Sequence, residues 1–519
     1  MISMRANKST TKSLSILTLI TLFGKIIAFI FEAVIAATLG ASIVTDAYFS
    51  AAEFFTLVDT AFLSSLTVIA VNRFSHHINQ EGSEAAFASL SNILSWYLPI
   101  MVVISVSIFF AASPLSYVIA PGCIETARPI LIRCIRVFCV VPVIACVTSV
   151  ELAILRQKKH FGITGLKSLF ISVVGIVSLV LFGNENVKNA DVLSVAFVVS
   201  MLLYCASTSL SIRKYGRLRL CRPVFNNEIK ITIRMLLPLM VSYGIDRVAL
   251  MVDKIISSML GEGFVSCLTY AHSLYTVVAA VFITNLTTIL LTDFNEMISQ
   301  SKYEAVGQKI KSVSSVMTAI LIPITIVSII CSDDVVKIVY ERGNFNSNST
   351  VLVAGVLLAY SINFIPAMLH GLYNQVLYAK GDTKTPMWIA FICIAINFGV
   401  SFALIQVVGL PGVAIGTVAS SVISVLICTF IIRKHLPGFR GCYTLRFVFD
   451  CAVSAIGSVL GTLLIKQIAL PEIFTFVLAT AVCFALFFGI MLLLRDRVMI
   501  NMMKKILAIL KRRSKKTTE

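Results

Sequence analysis

The chain has 519 residues, 58% of them hydrophobic and 13% charged, with a formal net charge of +18 and a mean hydropathy of +0.94. This composition excludes a soluble globular protein and fits a polytopic membrane protein. The net charge does not point to nucleic acid, because the cations sit in short segments between apolar runs rather than on one face.

The amino terminus, MISMRANKSTTK, is basic and runs directly into an apolar span without a small-residue cleavage site. It reads as a retained first helix rather than a signal peptide. A membrane helix needs about 20 mostly apolar residues. Fourteen candidates start near residues 13, 47, 89, 129, 161, 191, 234, 264, 312, 351, 386, 411, 447 and 472. With the amino terminus inside, the inner segments hold 32 Lys and Arg and the outer segments hold five. That positive-inside asymmetry places both termini in the cytoplasm, since one missed helix would scramble it from that point onward.

A charge at the bilayer centre costs at least about 2.5–3.5 kcal/mol, so such residues face a cavity or a partner. Helix 1 carries Lys25 and Glu32, and helix 2 carries Asp46, Glu53 and Asp59. Residues seven apart share a helix face, which aligns Lys25 with Glu32 and Asp46 with Glu53. Asp46 follows Thr45 at the start of helix 2, where N-capping competes with a functional role. Arg133 and Arg136 on helix 4 lie near its outer end, where long side chains can snorkel, and Glu151 near the inner interface can do likewise. Helix 7 carries Asp246 with Asp253, and beside them Arg247 with Lys254. His272 lies within helix 8, where a hydrogen-bonded core histidine and a proton carrier are the two readings. Mutual neutralisation of these charges is the competing structural account. It fits poorly on helix 2, whose acids outnumber the cations near them in sequence. Pro142, Pro238 and Pro366 lie inside spans and are expected to bend them. The tail DRVMINMMKKILAILKRRSKK is basic and amphipathic, as expected of a helix on an anionic inner leaflet.

The chain repeats itself. EAVIAATLGASIV from Glu32 and DKIISSMLGEGFV from Asp253 align at an offset of 221, as do VIAPG, ending at Gly122, and VYERG, ending at Gly343. ILRQKK from Ile154 and VLYAKG from Val376 match one residue out of register. A duplicated six-helix unit follows. Six is even, so the copies are parallel repeats with a substrate site expected between them. The expected organisation is an N-lobe over 1–222, a C-lobe over 223–436, two added helices over 437–495, and a basic cytoplasmic tail over 496–519.

No G-x-x-x-x-G-K-[ST] loop, HExxH or nucleophile elbow occurs, and the thirteen cysteines show no metal-ligand spacing. No enzyme activity and no cofactor are expected. Work would come from an ion gradient or the membrane potential.

Fourteen helices as a twelve-helix duplication plus two, TDAYF at 45–49, APG at 120–122, YERGNF at 340–345, the helix 7–8 run VDKIISSMLGEGFVSCLTYAHSLY and YAKGDTKTP at 378–386 resemble the MurJ/MviN lipid II flippases. Their superfamily also contains MATE antiporters and polysaccharide flippases. The resemblance implies a V-shaped bundle in a bacterial cytoplasmic membrane, with a cationic cavity for the pyrophosphate and sugar of an undecaprenyl-linked precursor. It also implies a lipid-tail groove on helices 13 and 14. On this reading Lys25, Arg247 and Lys254 bind substrate and converge in one water-filled cleft. Glu32, Asp46, Glu53, Asp59, Asp253 and His272 couple ions or gate. The expected partners are an undecaprenyl-linked lipid and anionic inner-leaflet lipids, with a monomer as the working unit. The sequence departs from the family at Phe31, Asp59 and Ser273, where well-studied members carry arginine. Two further readings stay open: flipping of another undecaprenyl-linked polysaccharide unit, and MATE-like export coupled to a cation.

Overall fold

Long apolar runs must satisfy their backbone hydrogen bonds internally in lipid, and the helix is the open-chain solution. The computed structural model follows that rule: it describes residues 23–158, 160–183, 189–436, 439, 441–468 and 471–504, and no strand occurs among them. The basic amino-terminal segment and the last fifteen residues of the tail lie outside the described residues.

Helices are numbered here by predicted span. Helix 1 covers the described residues 23–39. Among the described residues, ten helices are long and apolar enough to cross a membrane, or up to twelve when two bent pairs each count as one span. Fourteen is therefore not reached on length and composition. Helix 5, Lys167–Phe182, has 16 residues and spans about 24 Å at 1.5 Å per residue, short of a hydrocarbon core of about 30 Å.

The chain forms two compact units, 1–269 with 342–349, and 270–341 with 350–519. In the first, helix 2 (Ile43–Gln80) packs against helix 3 (Ser83–Phe110), helix 4 (Arg128–Gln157) and helix 7 (Asn227–Ser258). Helix 6, Asn189–Ile212, packs on helices 4 and 5. Phe55, Phe138 and Phe197 meet edge to face in this core. By contacts, helix 7 thus belongs with the first six, although the internal repeat begins with it. In the second unit helix 9 (Tyr303–Ile330) receives helices 13 (Leu445–Lys466) and 14 (Glu472–Leu493). The seam between them holds Phe447, Phe487 and Met491.

Two of the three prolines explain breaks. A proline ring clashes with the carbonyl four residues earlier. Pro142 thus stops the first piece of helix 4 at Phe138, and Pro366 follows a 44° bend between Ile362 and Phe364 in helix 10. Pro238 does not account for the 48° bend in helix 7, which falls between Ile245 and Arg247.

A feature invisible in the sequence supports the duplication. Helix 2 contains a π-helical turn at Asp59–Leu63, and helix 8, which opens as Phe264–Ala279, contains one at Ala280–Thr284. The two turns are separated by the same 221 residues that relate the repeats. Such turns widen the helix locally and recur at functional positions.

Candidate functional site

Helix 7 approaches helix 2 closely beside its bend. A side chain at Gly244 would come within 3.1 Å of the Ala61 methyl in the π-helical turn, so the small residue lets the two backbones draw together. This approach brings the charges of both helices to one place. Lys254 Nζ lies 3.1 Å from Glu53 Oε2 and donates to the Phe49 carbonyl at 3.2 Å. Arg247 Nη1 lies 3.6 Å from Glu53 Oε1. The Lys254 and Glu53 side chains are 11% and 12% exposed, whereas Arg247 retains 39%. Two cations therefore share one carboxylate, and the guanidinium stays accessible.

The acids of helix 2 do not outnumber their cations once the fold is known. Asp59 Oδ2 pairs with Lys167 Nζ of helix 5 at 2.8 Å, and Glu53 is served by helix 7. Those partners are 108 residues and about 200 residues away, beyond any local pattern. Glu151 does not snorkel to the interface as expected. It is buried, accepting hydrogen bonds from Thr208 Oγ1 at 2.5 Å and from Ser209 Oγ, because helix 6 presents hydroxyls there.

At the end of the unit predicted to lie outside, Asp46 acts as a cap, but not of its own helix. The N-cap of helix 2 is Ser42. The Asp46 carboxylate instead accepts from Gly263 N at 2.6 Å, Ser266 N at 2.7 Å and Ser266 Oγ at 2.5 Å, satisfying the free N–H groups that open helix 8. Thr45 Oγ1 and Ser266 Oγ are 2.7 Å apart, and these two residues are repeat equivalents. The glycine loops add a second equivalent pair. Gly122 N donates to Ser258 Oγ at 3.4 Å; 221 residues on, Asn344 N, beside Gly343, donates to the carbonyl of Ala37, the equivalent of Ser258, at 2.9 Å. A Cβ at Gly122 or Gly343 would collide with the Ser258 or Ala37 carbonyl. The cavity beside Asp46 measures about 20 Å³, room for about one water. This end is shut.

Lys25 is exposed on helix 1 and makes no ion pair among the described residues. Glu32 is half-buried and Asp253 buried; the side chain of Asp246 lies outside the described residues. His272 belongs to the second unit and sits among rings, 6.1 Å from Tyr275 and 5.7 Å from Tyr360. Of the three family departures, Phe31 packs against helix 5 at Gly175, Asp59 carries Lys167, and Ser273 is half-buried on helix 8. Among the described residues no group of three or more His, Cys, Asp or Glu could hold a metal ion. Thr45, Lys167, Gly263 and Ser266 escaped the sequence reading. The 221-residue offset, applied to Thr45, could have pointed to Ser266.

The family described as "Lipid II flippase MurJ" matches residues 35–511. Among individual proteins, a probable lipid II flippase MurJ of Rhizobium tropici is 25% identical over 80% of each chain. The lipid II flippase MurJ of Burkholderia cenocepacia is 21% identical over 80% of this chain and 82% of its own. Among solved structures, a lipid II flippase MurJ in an inward closed conformation has a TM-score of 0.78 at 17% identity, covering 91% of this chain and 97% of the other. An inward-facing MATE family multidrug resistance transporter reaches a TM-score of 0.65 at 14% identity, over 83% of this chain and 99% of the other.

Proposed function

The chain belongs to the lipid II flippase MurJ family, and from that premise we propose that it moves lipid II from the inner to the outer leaflet of a bacterial cytoplasmic membrane by alternating access, with both termini inside. The observation that carries the site assignment is the sharing of Glu53 by Arg247 and Lys254. A pyrophosphate is a stronger anion than one carboxylate, and the arginine fork pairs with phosphate oxygens in two parallel bonds. Arrival of the headgroup would draw Arg247 away from Glu53, while Lys254 stays held by the carboxylate and the Phe49 carbonyl. Asp46 and the paired glycine loops then form the outer gate, which must part to release cargo. Lys25, Glu32, Asp253 and His272 are proposed to serve cargo entry and coupling. Outward movement of an anion is favoured by an inside-negative potential, by about 2.3 kcal/mol per charge per 100 mV, and no cofactor is required on this reading.

Proteoliposomes loaded with labelled lipid II test the proposal. Arg247→Gln should slow flipping about tenfold or more, because a shared charge is lost from the headgroup contact, while the melting temperature holds. Wild-type flipping by that variant would remove Arg247 from the site. Failure of the wild-type protein to flip lipid II, alongside transport of another undecaprenyl-linked glycan, would overturn the cargo assignment.

A further inference from the structure

The second unit contains a cavity that none of the roles above uses. Its volume is about 740 Å³, and its walls include Lys311, Arg446, Arg497 and Lys504, with Thr444 and Asp496. The lone acid is already engaged: Asp496 Oδ1 accepts from Val498 N at 2.8 Å and Met499 N at 3.0 Å, starting the helix that begins the tail. Arg446 is partly held, with Nη2 donating to the Leu494 carbonyl at 3.3 Å and Nε 3.7 Å from Asp450. Lys311, Arg497 and Lys504 have no ion-pair partner among the described residues. Arg497 and Lys504 are seven apart and share a face of the tail helix. Met499, buried against Phe447, Phe487 and Met491, fixes that helix against the second unit. The cations are thus placed by packing.

We propose that this cavity binds the phosphodiester headgroup of an anionic phospholipid from the cytoplasmic leaflet. The proposal rests on the orientation given under the proposed function. Three features select this occupant. Four cations stand against Asp496 in the wall, already engaged at the tail helix, and Asp450 beside Arg446, so the excess positive charge suits an anion. The volume lies within the 300–1,000 Å³ typical of organic ligands, far more than bare phosphate fills. The first turn of helix 13, which supplies Thr444, Arg446 and Phe447 to the walls, also turns Leu445 and Phe449 outward, 92% and 63% exposed, where acyl chains would cover them. The sequence from Lys505 to Glu519 adds six cations and one acid, so it brings no net negative charge to balance these cations.

The test is lipid binding by the full chain in detergent, read by native mass spectrometry, with phosphatidylglycerol, phosphatidylcholine and inorganic phosphate as probes. Wild-type protein should retain one phosphatidylglycerol about tenfold more tightly than phosphatidylcholine, and a millimolar excess of inorganic phosphate should not displace it. The triple variant Lys311→Gln, Arg497→Gln, Lys504→Gln should lose that preference without a change in lipid-free melting temperature, since the three side chains have no partner to lose. Lys504→Gln alone should weaken the preference in the same direction, which keeps the test valid if the triple variant is unstable. Retained preference in either variant overturns the proposal. Displacement by inorganic phosphate overturns the lipid source in favour of a free anion. Because binding is read without transport, a failure here leaves the flippase assignment standing, and a failed flipping assay leaves this site standing.

Discussion

Replacing Asp46 with Asn tests the proposed outer gate directly. The carboxylate receives three hydrogen bonds on two oxygens, and hydrogen bonds to a charged group contribute about 1.5–3 kcal/mol each. An amide oxygen can still serve Ser266, but the amide nitrogen then faces the Gly263 N–H, donor against donor. One charge-assisted bond is lost, together with a favourable charge at a helix N-terminus of about 0.3–1 kcal/mol. The combined cost is about 3 kcal/mol, which corresponds to roughly a hundredfold shift from closed towards open. Amide hydrogen exchange reads this without added labels: peptides covering Gly263 and Ser266 should exchange about a hundredfold faster in Asp46→Asn, while the core of helix 4 stays protected. Ser266→Ala removes only the hydroxyl and should have a smaller effect. If exchange at Gly263 and Ser266 is unchanged in Asp46→Asn, the carboxylate does not hold this end shut and the gate assignment fails.

Removing Glu53 alone leaves Lys254 buried with only a carbonyl for a partner. Glu53→Leu should therefore cost about 3–5 kcal/mol, whereas Glu53→Leu combined with Lys254→Met should recover most of that loss; melting temperatures in detergent around this double-mutant cycle decide it. Gly343 has φ +62° and no room for a Cβ, whereas Gly381 has φ +78° and nothing within 4 Å. Gly343→Ala should open the outer end, seen as faster exchange at Asn344, while Gly381→Ala should cost only about 1 kcal/mol of backbone strain. Glu472 beside Lys337 raises the ammonium above its ordinary value of 10.5. The folded-state value exceeds the unfolded one, so this pair's contribution is complete below about pH 10 and is lost as pH rises through the folded value. Melting temperature should show no change from this pair between about pH 7 and 9, where its contribution is complete, and the alkaline decline should be shallower in Lys337→Met.

The sequence was enough to establish a helical membrane protein, the positive-inside pattern and the duplication, because each rests on local composition or on a fixed chain offset. Hydrophobic length dictates helix, and a repeated motif such as the one at Glu32 and Asp253 needs no three-dimensional knowledge. It also singled out Asp46, Glu53, Arg247 and Lys254, since a charge in an apolar run is conspicuous wherever it sits. Which charges meet was a matter for tertiary structure. Helical periodicity aligned Asp46 with Glu53 on one helix, yet Asp46 caps helix 8 while Glu53 binds helix 7. Asp59 looked like an unbalanced acid until helix 5 brought Lys167 to it, and Glu151 looked interfacial until helix 6 supplied hydroxyls. Periodicity along one helix orders its faces but cannot say which other helix each face will touch. Those pairings follow from packing, where a glycine such as Gly244 lets two helices close and a bend or π-helical turn re-aims everything beyond it.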